Sequence, residues 1–315
     1  MSHEVHGALY NGVPKPPFEL SYPDNPDAIT DNLMKLADLA PDVRDKFLLK
    51  NLITHLHAFV KETSLSSDEW LKAIKFLTSV GHTTTNIRQE FMLLSDVMGV
   101  SALVDAINFP PGHGGTESTI LGPFHTDDAP DIEQGQSIAS EGKGEYMYIE
   151  GRVLSSDGTP ISNATIESWE TDSNGYYDTQ YVNREKADLR GRLRTDKDGH
   201  FGFRAIVPVA YPIPGDGPVG QLLLAVGRHN MRPNHIHLIV EAPGFRKLIT
   251  MFYPEGDTWL ESDAVFAVKK SLVVKLQEVN DEAEARKRGF PKGSSFKLLQ
   301  RDVILVPEKQ ADLKQ

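Results

Sequence analysis

His235 and His237 lie in GRHNMRPNHIHLIV (227–240), two imidazoles at i and i+2 in an apolar, β-branched run. A strand turns such residues to one face, where both rings can share a metal ion. His55 and His57 have the same spacing in NLITHLHAFVKE. That stretch has helical periodicity, however, and i and i+2 on a helix are about 200° apart. Only the downstream pair therefore predicts a metal centre. Arg232 precedes it, at a bend marked by Pro233.

Two turn-rich loops offer oxygen donors. WETDSNGYYD (169–178) is a strand that ends in a turn presenting Tyr176 and Tyr177; VPVAYPIPGDGP (207–218) holds Tyr211 between prolines. Taken singly, tyrosines beside turns are packing residues with a wet hydroxyl tip. Beside a His-x-His strand, in a chain without cysteine, they point to a harder centre than zinc. A phenolate suits trivalent iron. Its proton, with a free pKa of about 10, must be lost on binding, and the metal's charge drives that loss. Fe(III) with two phenolates and two neutral imidazoles carries one positive charge, which a hydroxide neutralises. A catechol dianion could then displace the hydroxide and one phenolate, and the freed phenolate would take a substrate proton.

The elements that must position these groups fall into two textures. Residues 1–25, rich in Pro, Gly and Asn, are expected to form an arm. Residues 26–110 have helical periodicity: one helix from Asp27, one from Pro41 to near Val60, one opened by a capping-box sequence at Ser66, one over Ile87–Met98 and one over Ser101–Ile107. After a linker near 107–143, short runs broken by Gly, Pro, Asn and Asp predict strands, among them YMYIEGRV, ATIESW, GHFGFR, QLLLAV, IHLIV and LITMFY. SSDGTP (155–160) and TDKDGH (195–200) are hairpin signals, and Val265–Asn280 is expected to include one helix. The reading is mainly β with a helical N-terminal part: an antiparallel sandwich over 111–315 beside helices that pack on each other, a sheet or a second subunit.

Composition narrows the rest. At 315 residues with 39% hydrophobic residues, the chain has ample core. A net charge of −11 argues against nucleic acid and anionic membranes. No apolar run has transmembrane length and the first residues lack a signal-peptide core, so the expected location is the cytoplasm.

Four stretches, ILGPFHTDDAP (120–130), GRVLSSDGTPISNATIESWETDSNGYYDTQ (151–180), LRGRLRTDKDGHFGFRAIVPVAYPIPGDGPVGQLL (189–223) and GRHNMRPNHIHLIVEAPG (227–244), resemble in order the intradiol ring-cleavage dioxygenases. The resemblance spans roughly residues 25–275. It implies one non-haem Fe(III) per subunit, held by Tyr177, Tyr211, His235 and His237, with Tyr177 preferred to Tyr176 because the family reads Gly, aromatic, ligand Tyr. It implies that Tyr211 is displaced by substrate and that Arg232 stabilises charge on the ring. It also implies a homodimer through the N-terminal helices, with the presence of a lipid between them left open. Small aromatic diols or triols and dioxygen would be the substrates.

Within that family, LLSDVMGVSALVDAI (93–107), GGTESTILGPFH (114–125), YDTQ (177–180), AYPIPGDGPVG (210–220) and DAVFAVKKSL (263–272) are most similar to the branch that acts on hydroxyquinol (benzene-1,2,4-triol), with the catechol branch close. The implied substrate wall is Leu93, Asp96, Ile120, Leu121, Gly122, Pro123, Phe124, Ile213, Pro214, Arg232, Met251 and Val265. Asp96 would accept a hydrogen bond from the third hydroxyl. Two positions depart from the family. Met251 stands where a polar Gln or His is usual, leaving its role to Arg232 or a water, and Asn234 replaces an alanine. Two other readings share parts of the pattern. A transthyretin-like binding module would explain the sandwich but leave the Tyr/Tyr/His/His set unused. A zinc hydrolase on His235 and His237 would need a third ligand.

Overall fold

A computed structural model describes residues 11–308 apart from 111 and 113; of the expected arm, residues 11–25 carry no helix or strand, and the remainder lies outside the described residues. The chain parts into two compact units, one ending at Lys75 and one beginning at Phe76. The helical region read over 26–110 is thus shared between them.

The first unit holds α1 (Pro26–Ala37) and α2 (Val43–Glu62); α3 (Ser67–Thr83) crosses the division. Side-chain caps begin these helices. Asn25 accepts from Ala28 N–H at 2.9 Å and Asp42 from Asp45 N–H at 2.8 Å. Ser66 and Glu69 form the reciprocal capping box expected from their spacing. His57 faces Thr30 Oγ1 at 2.9 Å, tying α2 to α1.

The second unit continues with α4 (Glu90–Val97) and α5 (Val100–Asn108), then β1 (Tyr146–Ser155), β2 (Thr165–Trp169), β3 (Arg190–Arg194), β4 (His200–Ile206), β5 (Tyr211–Pro212), α6 (Pro218–Ala225), β6 (Met231–Arg232), β7 (Ile236–Glu241), β8 (Leu248–Pro254), β9 (Val273–Val274), β10 (Gln277–Val279), α7 (Glu282–Lys287), β11 (Phe296–Gln300) and β12 (Val303–Leu305). Two five-stranded sheets result. In one, β1 pairs antiparallel with β4 on one edge and parallel with β11 and then β12 on the other. The second runs β3-β2-β7-β8-β9. Ile149, Val153, Phe201 and Phe203 from the first sheet share one core with Ile166, Leu238, Val240 and Phe252 from the second. The sandwich is therefore mixed, with parallel pairs added by its C-terminal strands.

Three local expectations change. QLLLAV is helical, not a strand: Pro218 occupies the first helical position, where its missing N–H costs nothing. Val219 and Leu223, four apart, bury one face, and Glu90 Oε1 accepts from Val219 N–H at 3.1 Å. Residues 265–280 form no α-helix; they make a single 3₁₀ turn at Lys270–Leu272, then β9 and β10. The β-branched pair Val273–Val274 continues the sheet edge beside Tyr253 and Pro254. The two hairpin signals do make tight turns, but β1 and β2 lie in different sheets, as do β3 and β4. Those turns are corners of the sandwich, because each sheet finds its partners elsewhere in the chain.

Candidate active site

The ladder of the second sheet sets the site. Alternation sends Ile236, Leu238 and Val240 into the core and leaves His235 and His237 on the opposite face. Cross-strand register then places Trp169 and Met251 on either side of His237. Trp169 stacks on the His237 ring at 4.4 Å and 13°. The short ladder of β5 with β6 puts Tyr211 directly opposite Arg232. The turn after β2 delivers Tyr177, whose N–H donates to Gln180 Oε1 at 2.9 Å. That turn needs Gly175: its φ is +80°, and an added Cβ would come within 2.9 Å of Tyr211 Cβ.

Four donor atoms converge. Tyr177 Oη is 2.9 Å from His237 Nε2, 3.3 Å from His235 Nε2 and 3.2 Å from Tyr211 Oη. His235 Nε2 is 3.2 Å from His237 Nε2 and 3.5 Å from Tyr211 Oη. All four side chains are at most 2% exposed. Tyr176, by contrast, is 50% exposed and outside the cluster. His235 Nδ1 sits 2.7 Å from the Pro233 carbonyl. The carbonyl only accepts, so Nδ1 carries the proton and Nε2 presents its lone pair inward, as ligating imidazoles do. Burial, with the Arg232 charge behind it, pushes His235 well below the usual histidine range; burial and the neighbouring His235 do the same to His237. Both rings are neutral. Burial raises both phenols, Tyr177 the more strongly, while Arg232 opposes the rise at each. Two neutral imidazoles and two phenols in a dry pocket fit a cation whose own charge can draw off the phenolic protons. Among the described residues, no three His, Cys, Asp or Glu side chains group closely enough to hold a metal ion. The third ligand that a zinc reading needs is thus not found among the described residues, whereas two phenol oxygens stand beside the imidazole pair.

The expected wall residues divide by position. Asp96, Ile120, Leu121 and Gly122 line one cleft of about 500 Å³. Leu93, Phe124, Ile213, Met251 and Val265 are buried in the same core cluster as Tyr177 and Tyr211, with Phe124 stacked on Tyr177 at 4.5 Å. Pro123 and Pro214 are half-buried beside them. Gly122 joins cleft to donors: its φ is +78°, and an added Cβ would lie 3.3 Å from His237 Cε1. Asp96 is 1% exposed, and neither carboxylate oxygen has a hydrogen-bond partner. Burial pushes its carboxyl up to about 6.

Sequence reasoning missed several neighbours. Met92, Ser95, Ser101 and Arg246 share the cleft with Asp96; a single methionine, serine hydroxyl or guanidinium has no spacing that marks it as part of a site. Tyr253 was also missed. Its O–H donates to Met251 Sδ at 3.1 Å and its oxygen lies 3.4 Å from Arg232 Nη2. The polar group absent from position 251 thus reappears two residues on, on the same face of β8. Asn234 N–H donates to Asp257 Oδ2 at 3.0 Å.

Similarity to known proteins spans the same ground. A family model described as dioxygenase matches residues 120–298, and one described as catechol dioxygenase N terminus matches 42–115. An intradiol ring-cleavage dioxygenase of Aspergillus niger is 45% identical over 90% of this chain and 85% of its own length. A hydroxyquinol 1,2-dioxygenase of a Rhizobium species is 47% identical over 80% and 86% respectively. The crystal structure of hydroxyquinol 1,2-dioxygenase from Pseudomonas putida DLL-E4 superposes with a TM-score of 0.80 at 40% identity, covering 90% of this chain and 99% of that one.

Proposed function

Because this chain belongs to the intradiol ring-cleavage dioxygenase family, we propose that it uses ferric iron to cleave hydroxyquinol between its vicinal hydroxyls. The product is 3-hydroxymuconate or its keto tautomer, maleylacetate. The observation that carries the reading is the convergence of Tyr177, Tyr211, His235 and His237 in a buried pocket. Relatives named for hydroxyquinol, together with the unpartnered Asp96 carboxylate on the cleft, favour the triol over catechol.

Tyr177, Tyr211, His235 and His237 would hold the ion, one per subunit. When bound, ferric iron would supply the electron withdrawal that makes an aromatic diol reactive toward dioxygen. Tyr211 Oη, the donor opposite Arg232, takes a proton from the entering substrate. Arg232 Nη1 holds a fixed positive charge where negative charge develops on the ring. Asp96 accepts from the third hydroxyl. Ile120, Leu121, Gly122, Pro123, Phe124, Ile213, Pro214, Leu93, Met251 and Val265 shape a dry enclosure around the ring.

The subunits pair through helices whose apolar side chains, including Phe47, Leu52, Leu56 and Phe59 on α2, are exposed in the single chain. No helix of the described residues is long and apolar enough to cross a membrane.

Steady-state kinetics on hydroxyquinol and catechol test the substrate. Hydroxyquinol should give the higher kcat/KM, and Asp96→Ala should lower that value more for hydroxyquinol than for catechol. A strong catechol preference, or equal losses, would refute it. The iron-loaded protein should also be burgundy, and Tyr211→Phe should change its visible band; an unchanged spectrum would remove Tyr211 from the ligand set.

A further inference from the structure

Arg232 is 2% exposed and spends its donors in two directions. On one edge, Nε donates to Asp263 Oδ1 at 3.1 Å and Nη2 to Asp263 Oδ2 at 3.4 Å. At the far corner, Nη1 lies 3.1 Å from His235 Nε2 and 3.5 Å from Tyr211 Oη. A guanidinium is a rigid plane, so a carboxylate that grips one edge fixes where the opposite corner points. Met251 and Tyr253 also touch Nη2, at 3.5 Å and 3.4 Å, but they are neutral and lie on the held edge.

The same carboxylate organises a second element. Asp263 Oδ1 accepts from Val265 N–H at 3.3 Å and Oδ2 from Ala267 N–H at 3.0 Å. Between them Phe266 has φ +59°, a left-handed conformation that a bulky residue keeps only when its surroundings impose it. Two oxygens, themselves buried, therefore hold both the guanidinium and the loop that brings Val265 to the site.

We propose that Asp263 is a positioning residue for ring cleavage: it aims Arg232 Nη1 at the Tyr211–His235 donors and locks that aim to the Val265 loop. The inference rests on the ring-cleavage reading, because the aim matters only if negative charge develops there.

The test uses the full-length, iron-loaded protein with hydroxyquinol. Asp263→Asn keeps the shape and removes the charge that grips the fork. It should lower kcat about 100-fold, the scale of an ångström-sized misplacement. The Kd for hydroxyquinol measured without oxygen should stay within about threefold, since ground-state binding is not what is lost. A crystal structure of the variant should show Nη1 turned away from His235 and Tyr211. Arg232→Lys should show a similar loss of kcat. In that background Asp263→Asn should add almost nothing, as expected of a residue acting only through Arg232. A folded Asp263→Asn with parental kcat overturns the proposal, as do an unmoved Nη1 or additive losses in the double variant. If Asp263→Asn does not fold, Asp263→Glu keeps the charge and shifts the fork by one methylene. It should lower kcat at least about tenfold with Kd held, and parental kcat there overturns the proposal too. A parent protein that leaves hydroxyquinol and catechol intact fails the reading itself, visible before any variant is made, and the inference falls with it.

Discussion

His55 and His57 ride on α2, where 3.6-residue periodicity turns them apart; His57 meets Thr30 on α1. His235 and His237 flank a residue in an extended ladder, and their Nε2 atoms lie 3.2 Å apart. Identical spacing thus yields a helix–helix tie in one region and a shared donor centre in the other. The difference comes from the partners each backbone recruits. The helix supplies only its own neighbours at three and four residues. The strand borrows Trp169 from β2 and Met251 from β8, and the β5–β6 ladder adds Tyr211 and Arg232. A site of this kind is assembled by register between distant segments.

The largest test of that contrast removes members of each pair in turn. His237→Ala should abolish the visible band and reduce ring cleavage to background, because no other His, Cys, Asp or Glu cluster can replace the lost ligand among the described residues. His55→Ala and His57→Ala should leave both intact. Iron analysis of the purified variants distinguishes a lost ligand from a lost fold. An active, coloured His237→Ala would break the comparison outright.

How far the sequence reveals this site depends on the range of the interactions that make it. The strand character of IHLIV, the capping box that opens α3 and the helix around His55 are local, and short sequence windows expressed them. The choice of Tyr177 over Tyr176 came from a family pattern; in the structure it is a matter of one peptide step, which leaves Tyr176 half in solvent and Tyr177 fully inside. The helical α6 hid because three leucines suit either state, and one of its supports is Glu90, distant in sequence, on Val219 N–H. Asp263 and Tyr253 were invisible for the same reason: each matters through Arg232, on a different strand. The parallel strands β11 and β12 close on β1 from the far end of the chain, a pairing no short window can encode.

Trp169 sharpens the comparison at the next scale down. It is 1% exposed, stacks on His237 and meets His125 edge-on at 5.0 Å. Trp169→Ala should cost about 3–5 kcal/mol of stability, the usual range for emptying a buried aromatic site. It should also weaken iron retention, since the face of His237 loses its support. Denaturant unfolding and iron content read the two effects, and unchanged retention would show that the strand alone orients His237.

Asp96 gives a smaller effect with a defined sign. Burial raises its folded-state carboxyl to about 6 from an unfolded value of 3.8. The folded protein therefore holds this proton more tightly than the unfolded chain. Its contribution favours folding below about pH 4, fades as pH rises through the window between the two values, and is gone above about 6. Asp96→Asn has no such fade. Its stability relative to the parent should climb between pH 4 and 6.5 and then level, by at most about 3 kcal/mol on the usual conversion of 1.36 kcal/mol per unit. A difference flat with pH would mean that Asp96 is hydrated through the cleft and titrates as an ordinary carboxyl.

The smallest prediction returns to the helical pair. Thr30 Oγ1 lies 3.3 Å from the Pro26 carbonyl and 2.9 Å from His57 Nδ1. One hydroxyl proton cannot serve both. If it goes to Pro26, which can only accept, then His57 must donate from Nδ1–H, and both contacts are satisfied at once. Thr30→Val keeps the volume and deletes the hydroxyl, leaving His57 Nδ1–H to a half-wet surface. The cost should be about 1 kcal/mol in denaturant unfolding. Ring-cleavage rates and the visible band should not move, because both partners of the Thr30 hydroxyl, the Pro26 carbonyl and His57, belong to the first compact unit. A shift in that band would mean the two histidine pairs are coupled, and the separation between a structural and a chemical pair would no longer hold.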